Sequence, residues 1–166
     1  IDPLRDIEVI NTELNLADLD SVEKALFRAE KAARAGGEEN IAKRDVILRL
    51  RDHLNEMNPA RSLDATKEDW AQLSELHLLT SKPTMYIANV DEAGIGGNDF
   101  VERVKEHAKK ESAQVVVVCA AMESEIAMLD DEDKIAFLED LGVEEPGLHR
   151  VIRAGYELLG LQTFFT

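Results

Sequence analysis

The sequence predicts an α/β protein that combines a parallel β-α-β unit with a long helical hairpin. Residues 84–88 and 115–118 form short, largely apolar runs whose length and β-branched content are typical of buried strands. Val101, Val104 and Ala108 recur between them at helical spacing, so the two strands are expected to be parallel. Before residue 60, two longer helical repeats flank a Gly-Gly turn, and this arrangement predicts the hairpin.

The hairpin follows from the spacing of apolar residues along two helices. The first helix is expected to begin near Pro3 and to end at Gly36-Gly37, because glycine readily adopts the left-handed conformation that ends helices. The second is expected to end at Asn58-Pro59. The apolar repeats are Ile7, Ile10, Leu14, Ala17, Leu19, Val22, Leu26, Ala29 and Ala33 in the first helix, and Ile47, Leu50, Leu54 and Met57 in the second.

Three further helices complete the predicted layout. One starts after Thr66, whose hydroxyl suits an N-cap. Two acidic helices follow the second strand, over residues 124–141 and 146–159. A sheet of two strands that is apolar on both faces needs neighbours, so the sequence is typical of the second half of an α/β domain. The missing strands are expected before Ile1, after Thr166 or in a partner chain.

Charge is distributed unevenly over the 166 residues, whose formal net charge is -15. Residues 120–145 hold ten carboxylates and one lysine, which argues against binding of a nucleic-acid backbone there, and no specific DNA binding is expected. Residues 23–56 hold eight basic and seven acidic side chains and form the only plausible basic face. That region is interpreted either as a solvated helix with ion pairs four residues apart or as a contact surface for RNA through Arg44, Arg49 and Arg51.

The longest apolar run, residues 115–122, is much shorter than the roughly 20 residues needed to cross a bilayer, so no membrane association is expected. The single cysteine, Cys119, excludes an internal disulfide framework and fits a cytoplasmic protein.

The residues that follow the two predicted strands suggest a purine-binding site. Ligands of open parallel sheets bind beyond the carboxyl ends of the strands. The first strand is followed by Asn89-Val90-Asp91-Glu92 and the second by a turn of small residues. GTPase-like proteins build a guanine pocket in this way with Asn-Lys-x-Asp, whose aspartate accepts two hydrogen bonds from guanine.

Two differences from that tetrapeptide favour adenine over guanine. Glu92 replaces the aspartate, and its extra methylene moves the carboxylate away from the guanine position, while Val90 replaces the lysine with an apolar face. Because a lost buried hydrogen bond costs about 1–3 kcal/mol, two poorly made bonds would remove a guanine preference. Asn89 is assigned to the base edge, with Asp91 as a rival acid to Glu92. An ordinary turn at Asn89 is the alternative interpretation.

Three stretches, residues 2–14, 82–92 and 158–166, closely resemble the YchF/Obg-like ATPase family, a branch of the Obg-related P-loop GTPases. The resemblance implies a Ras-like nucleotide-binding domain interrupted by an α-helical coiled-coil insertion, with ATP preferred over GTP. It also implies association of the whole protein with the ribosome. The nucleotide-contacting positions that it implies are Asn89, Val90, Glu92, Cys119, Ala120, Ala121 and Met122.

The family's phosphate-binding loop, Gly-x-x-x-x-Gly-Lys-Ser/Thr, and the segments that hold Mg²⁺ do not occur in this sequence. The chain alone is therefore expected to lack ATPase activity and to contain no catalytic or metal-binding residue, whereas the parent protein is expected to hydrolyse ATP with Mg²⁺. The resemblance divides the chain into a partial nucleotide domain (1–18 and 66–162), a hairpin insertion (19–65) and the start of a linker toward a TGS domain (163–166). A non-catalytic protein- or RNA-interaction module acting through the hairpin is the alternative function.

Overall fold

The computed structural model describes residues 2–162, which form two compact units. The helical unit is Arg5–Lys82, and the sheet unit consists of the chain up to Leu4 and from Pro83 onward. The predicted fold class is confirmed within each unit: one holds the hairpin and the other a parallel β-α-β arrangement. These boundaries differ from residues 19 and 65, so the division into domain and insertion stays a prediction. The strand predicted over residues 163–166 lies outside the described residues.

The helical unit is built from a hairpin and a short third helix. Helix α1 (Pro3–Arg34) and α2 (Glu38–Asn55) are joined at Gly36 and Gly37, whose φ angles of 91° and 103° suit glycine. Helix α3 (Lys67–Leu73) follows, with 3-10 turns at Ala60–Ser62 and Ser74–Leu76 on either side. The predicted hairpin and third helix are therefore confirmed.

The core of the helical unit lies between α1, α2 and α3. Six of the thirteen predicted repeat positions are buried there, but Met57 lies beyond the end of α2 with φ of 62°, so its place in that repeat was wrong. Ile10, Leu14 and Ala17 are also exposed, because in this stretch α1 buries Asn15 and Asp18 instead. The most deeply buried side chains are Val22, Val46, Ile47, Leu50, Leu54 and Leu73.

A buried carboxylate closes the helical unit. Asp18 is 3% exposed and accepts hydrogen bonds from Leu79 N (2.7 Å), Thr80 N (2.7 Å) and Thr80 Oγ1 (2.6 Å). Thr80 Oγ1 in turn accepts from Ala60 N at 2.9 Å. Asp18 therefore fastens the segment after α3 to the middle of α1, and its buried charge is satisfied by three donors.

Helix α3 begins with a capping box. Thr66 Oγ1 accepts from Asp69 N, and the Asp69 carboxylate accepts from Thr66 N, both at 3.1 Å. Asp69 also accepts from Arg49 Nη2 of α2 at 2.6 Å. The hydrogen bond from Thr66 N, together with that from Arg49, holds the pKa of Asp69 below its usual value.

The sheet unit contains two parallel strands, β1 (Met85–Asn89) and β2 (Gln114–Val118), paired in register from Met85 opposite Gln114 to Asn89 opposite Val118. The crossover is α4 (Asp99–Lys110), which begins at the Asn98 cap, and its predicted inner face of Val101, Val104 and Ala108 is buried. Val116 and Val118 pack against α7 (Gly147–Leu159).

The helix predicted over residues 124–141 is wrong, because the structure has two helices there. Helix α5 (Ala120–Ile126) starts directly after β2 and ends before a turn, and α6 (Asp131–Asp140) starts anew. Asp130 caps α6 by accepting from Asp133 N at 3.0 Å. Aspartate favours this N-cap position over a helix interior, and that preference explains the break. No helix within residues 2–162 has the length and apolarity required to cross a membrane.

Candidate functional site

The two predicted loops meet at the carboxyl ends of β1 and β2. Val90 N donates to Val118 O at 2.8 Å, which extends the strand pairing by one residue. The Asn89 side chain then crosses to the second loop, where its Oδ1 accepts from Ala120 N at 3.0 Å. Asn89 therefore links the two loops, an arrangement that adjacent parallel strands produce at one sheet edge.

In the loop after β1, the structure distinguishes between the two acidic residues. Asp91 is the N-cap of a 3-10 turn, Glu92–Gly94, and its Oδ1 accepts from Gly94 N at 2.9 Å. Glu92 is exposed, and its carboxylate makes no hydrogen bond to any part of the chain that the structure describes. Asp91 is thus committed to shaping the loop, whereas Glu92 is available to a ligand.

Close packing of the same loop requires glycine at position 94. A β-carbon there would lie 2.9 Å from Val90 Cβ and 2.9 Å from Asn98 Nδ2. The loop therefore folds tightly onto Val90, which is half-buried, and its shape is set by local contacts.

In the loop after β2, the predicted residues divide by exposure. Cys119 and Met122 are buried and contribute to the packing of the unit. Ala120 and Ala121 are exposed at the first turn of α5, where backbone N–H groups have no intrahelical acceptor. A ligand at this edge would meet small side chains and backbone rather than the thiol.

Sequence reasoning missed Glu123, which anchors the same loop. Its Oε1 accepts from Gly147 N at 2.7 Å and its Oε2 accepts from Leu148 N at 3.1 Å, so one carboxylate binds the first two amides of α7. The partners lie more than twenty residues away in sequence, and no local pattern indicates the contact.

This edge presents hydrogen-bonding groups that suit the rim of a planar heterocycle. It offers donors at Asn89 Nδ2 and at the first turn of α5, and an acceptor at Glu92. Within residues 2–162, no three His, Cys, Asp or Glu side chains are grouped so that they could hold a metal ion. The site is therefore a candidate for recognition of a base.

Comparison with known proteins identifies the relatives of this chain. No protein-family model matches it. The ribosome-binding ATPase YchF of Haemophilus influenzae is 55% identical over 166 residues, that of Escherichia coli O157:H7 is 51% identical over 166, and that of Bacillus subtilis is 46% identical over 169. Each alignment covers 100% of this chain and 46% of the relative, so the chain spans just under half the length of these proteins.

A solved structure of similar fold supports the same relationship. The Schizosaccharomyces pombe YchF GTPase aligns with a TM-score of 0.86 and 25% identity, over 96% of this chain and 44% of that chain. The likeness confirms the predicted fold class, in which part of a P-loop nucleotide-binding domain carries a helical hairpin.

Proposed function

The chain is homologous over its whole length to a segment of the YchF ribosome-binding ATPases, and we propose that it forms their base-recognition part, selecting ATP over GTP. The observation that carries the proposal is the hydrogen bond from Ala120 N to Asn89 Oδ1, which joins the ends of β1 and β2 into one site. The chain's own contribution is to bind and orient the base. Phosphate binding and Mg²⁺ are assigned to a Gly-x-x-x-x-Gly-Lys-Ser/Thr segment that these 166 residues do not contain.

Asn89 recognises the ring edge of the base in this proposal. Because its Oδ1 is engaged by Ala120 N, the amide orientation is fixed and both N–H groups of Nδ2 are left to donate. A purine ring nitrogen is a suitable acceptor. Val90, half-buried beside the strand end, supplies an apolar surface for the ring.

Glu92 sets the preference between bases. Its carboxylate is unengaged within the described chain, but it is one methylene longer than the aspartate that pairs with guanine N1–H and the 2-amino group. Adenine has neither of these donors, so poor pairing with Glu92 does not reduce its binding free energy. Cys119 and Met122 support the loop through their buried side chains, and the backbone at Ala120 and Ala121 borders the base.

The reaction of the whole protein is proposed to be hydrolysis of ATP to ADP in the cytoplasm, in association with the ribosome. The 166 residues alone are proposed to be inactive, since a phosphoryl-transfer site depends on electrostatic stabilisation by the phosphate-binding loop and its lysine.

The test is a paired substitution, Val90→Lys with Glu92→Asp, in an intact protein that contains this chain and the phosphate-binding segment. We expect GTP affinity to rise about tenfold, because each restored buried hydrogen bond contributes about 1–2 kcal/mol. Calorimetric titration with ATP and GTP measures the change, and Asp91→Asn serves as the control for altered loop charge. Unchanged GTP affinity in the paired variant would overturn the base-edge assignment.

A second candidate function, contact with ribosomal RNA, is favoured by one face of α1. Phe27 is 73% exposed, and Lys31 and Arg34 follow it at helical spacing without a carboxylate within 4 Å among the described residues. Asp20, Glu23 and Glu30 border the same face. Exposed aromatic rings beside cations suit unpaired bases and phosphates, so this face is proposed as the ribosome contact of the hairpin.

The arginines predicted for this role are engaged elsewhere. Arg44 and Arg51 each pair with the aspartate that follows them, and Arg49 pairs with Asp69. These intramolecular pairs reduce the free positive charge of α2, and the RNA contact is therefore proposed for α1 instead.

Co-sedimentation with ribosomes tests this second proposal. We expect Phe27→Ala with Lys31→Gln and Arg34→Gln to reduce pelleting of the intact protein about tenfold, because base stacking contributes about 1–3 kcal/mol. Arg44→Gln with Arg51→Gln is the matched control and should pellet normally. Equal loss in both sets would contradict a contact confined to α1.

A further inference from the structure

Glu123 connects the loop after β2 to the start of α7. Its two carboxylate oxygens accept from Gly147 N and Leu148 N at 2.7 and 3.1 Å. We propose that Glu123 is a positioning residue for base recognition, which holds residues 119–122 in place and so controls nucleotide affinity and the ATP-to-GTP ratio. The inference rests on the proposed function of the strand ends.

The close approach of Gly147 to Glu123 independently supports a specific contact between the loop after β2 and α7. A β-carbon at position 147 would lie 2.8 Å from Glu123 Oε1 and 3.1 Å from Val118 Cγ1. The carboxylate and the end of β2 thus occupy the space that a side chain at 147 would need. Gly147 is buried although it opens a helix, which shows that the first turn of α7 presses directly against this loop.

Only a small void lies between Glu123 and the first turn of α7. Cys119, Met122, Glu123, Gly147 and Arg150 line a common void of about 10 Å³, which is close to the volume of one water probe. The loop after β2 is therefore in direct contact with the first turn of α7.

Residues 119–122 are held from both sides. At the first residue of α5, Ala120 N donates to Asn89 Oδ1. At the other end of the segment, Glu123 binds α7, which is itself packed on β2 through Val151 and Ala154. Loss of the Glu123 contact would leave the segment held by the Ala120–Asn89 hydrogen bond and by the packing of Cys119 and Met122, and the donor geometry at Asn89 would then vary.

The test uses Glu123→Ala, Glu123→Gln and the matched control Glu125→Ala in the intact protein. Glu125 lies two residues further along α5, is exposed and has no side-chain hydrogen bond in the described structure. Nucleotide affinity is measured by calorimetry with ATP and GTP. The rate of Cys119 alkylation without nucleotide reports loop position, because this thiol is buried and is the chain's only cysteine.

We expect Glu123→Ala to weaken ATP binding about tenfold, in line with loss of two hydrogen bonds to a charged acceptor, and to accelerate Cys119 alkylation by a similar factor. Glu123→Gln keeps one acceptor oxygen and should recover part of both effects. Glu125→Ala should match the unmodified protein. If Glu123→Ala folds poorly, Gly147→Ala breaks the same contact from the other side and should reproduce both changes.

A purely structural role would lower the melting temperature and leave ATP affinity and the ATP-to-GTP ratio at their original values, and that result would overturn the inference. If the unmodified protein binds neither nucleotide, the proposed function fails. In that case, the alkylation rates alone decide whether Glu123 positions residues 119–122, and equal rates refute it.

Discussion

Two sets of polar side chains, one in the helical unit and one at the strand ends of the sheet unit, differ in how far they are engaged within the chain. In the helical unit, Asp18 is buried and fully engaged, and the arginines of α2 are paired with neighbouring carboxylates. At the strand ends of the sheet unit, Glu92 and one side of the Asn89 amide are left without partners in the described chain. The difference indicates that Asp18 stabilises the fold, whereas Glu92 and the Asn89 amide keep hydrogen-bonding capacity for a ligand.

The largest expected effect tests the structural side of this comparison. Asp18→Ala should destabilise the helical unit by about 3 kcal/mol, because the amides of Leu79 and Thr80 lose their buried acceptor. Chemical denaturation followed by circular dichroism measures the loss.

The control for this variant is Asp20→Ala, which removes an exposed pair with Lys24 and should change stability by less than about 0.5 kcal/mol. An equal cost for both variants would remove the distinction between buried and surface carboxylates.

A smaller effect is expected from a substitution at the strand ends, and it should appear in nucleotide affinity rather than in stability. Asn89→Ala removes the acceptor for Ala120 N and the donor proposed for the base, so ATP affinity of the intact protein should fall about tenfold. The exposed side chain contributes little packing, and the melting temperature should change by only a few degrees.

Calorimetry and thermal denaturation of the same samples separate these two quantities. Asp99→Ala, an exposed substitution in the first turn of α4, is the matched control. A large stability loss in Asn89→Ala with unaltered ATP affinity would place Asn89 with the structural polar groups.

The smallest effect concerns the pH dependence of the helical unit. Because the pKa of folded Asp69 lies below its value of 3.8 in model compounds, its ionised form stabilises the fold above about pH 4, and this contribution is lost as pH falls through the folded pKa. Asp69→Asn keeps a side-chain acceptor for Thr66 N but removes the charge that faces Arg49. We expect this variant to be less stable by about 0.5–1 kcal/mol at pH 7.

Thermal denaturation between pH 7 and pH 2.5 should show the stability difference between Asp69→Asn and the unmodified chain shrinking as pH falls. A difference that is constant with pH would show that the ionised carboxylate contributes no stability.

Most of the fold could be predicted from local sequence, because helices and strands bury residues at fixed periods. The hairpin, Thr66 as a cap, and the inner face of α4 all follow from such patterns. The break between α5 and α6 was missed because an aspartate at position 130 is compatible with the exposed face of a helix as well as with an N-cap.

The contacts that distinguish the two units could not be predicted, because they join residues that are distant in sequence. Asp18 accepts hydrogen bonds from residues about sixty positions away, and Glu123 accepts hydrogen bonds from the first turn of α7, more than twenty residues away. At the candidate site, Asn89 and Glu92 were identified from their position after a strand, and their role in binding stays a proposal. The commitment of Asp91 to a 3-10 turn became evident only from the folded loop.

Because position 147 is a glycine in close contact with Glu123, the structure limits which residues relatives of this chain can carry there. Since Glu123 Oε1 would lie only 2.8 Å from a β-carbon at position 147, a side chain there would have to displace the carboxylate. Gly147→Ala should displace the carboxylate, and a shorter residue at 123 should relieve the steric conflict without restoring the hydrogen bonds to α7. A library randomised at position 147 should therefore return mainly glycine as long as glutamate is kept at position 123.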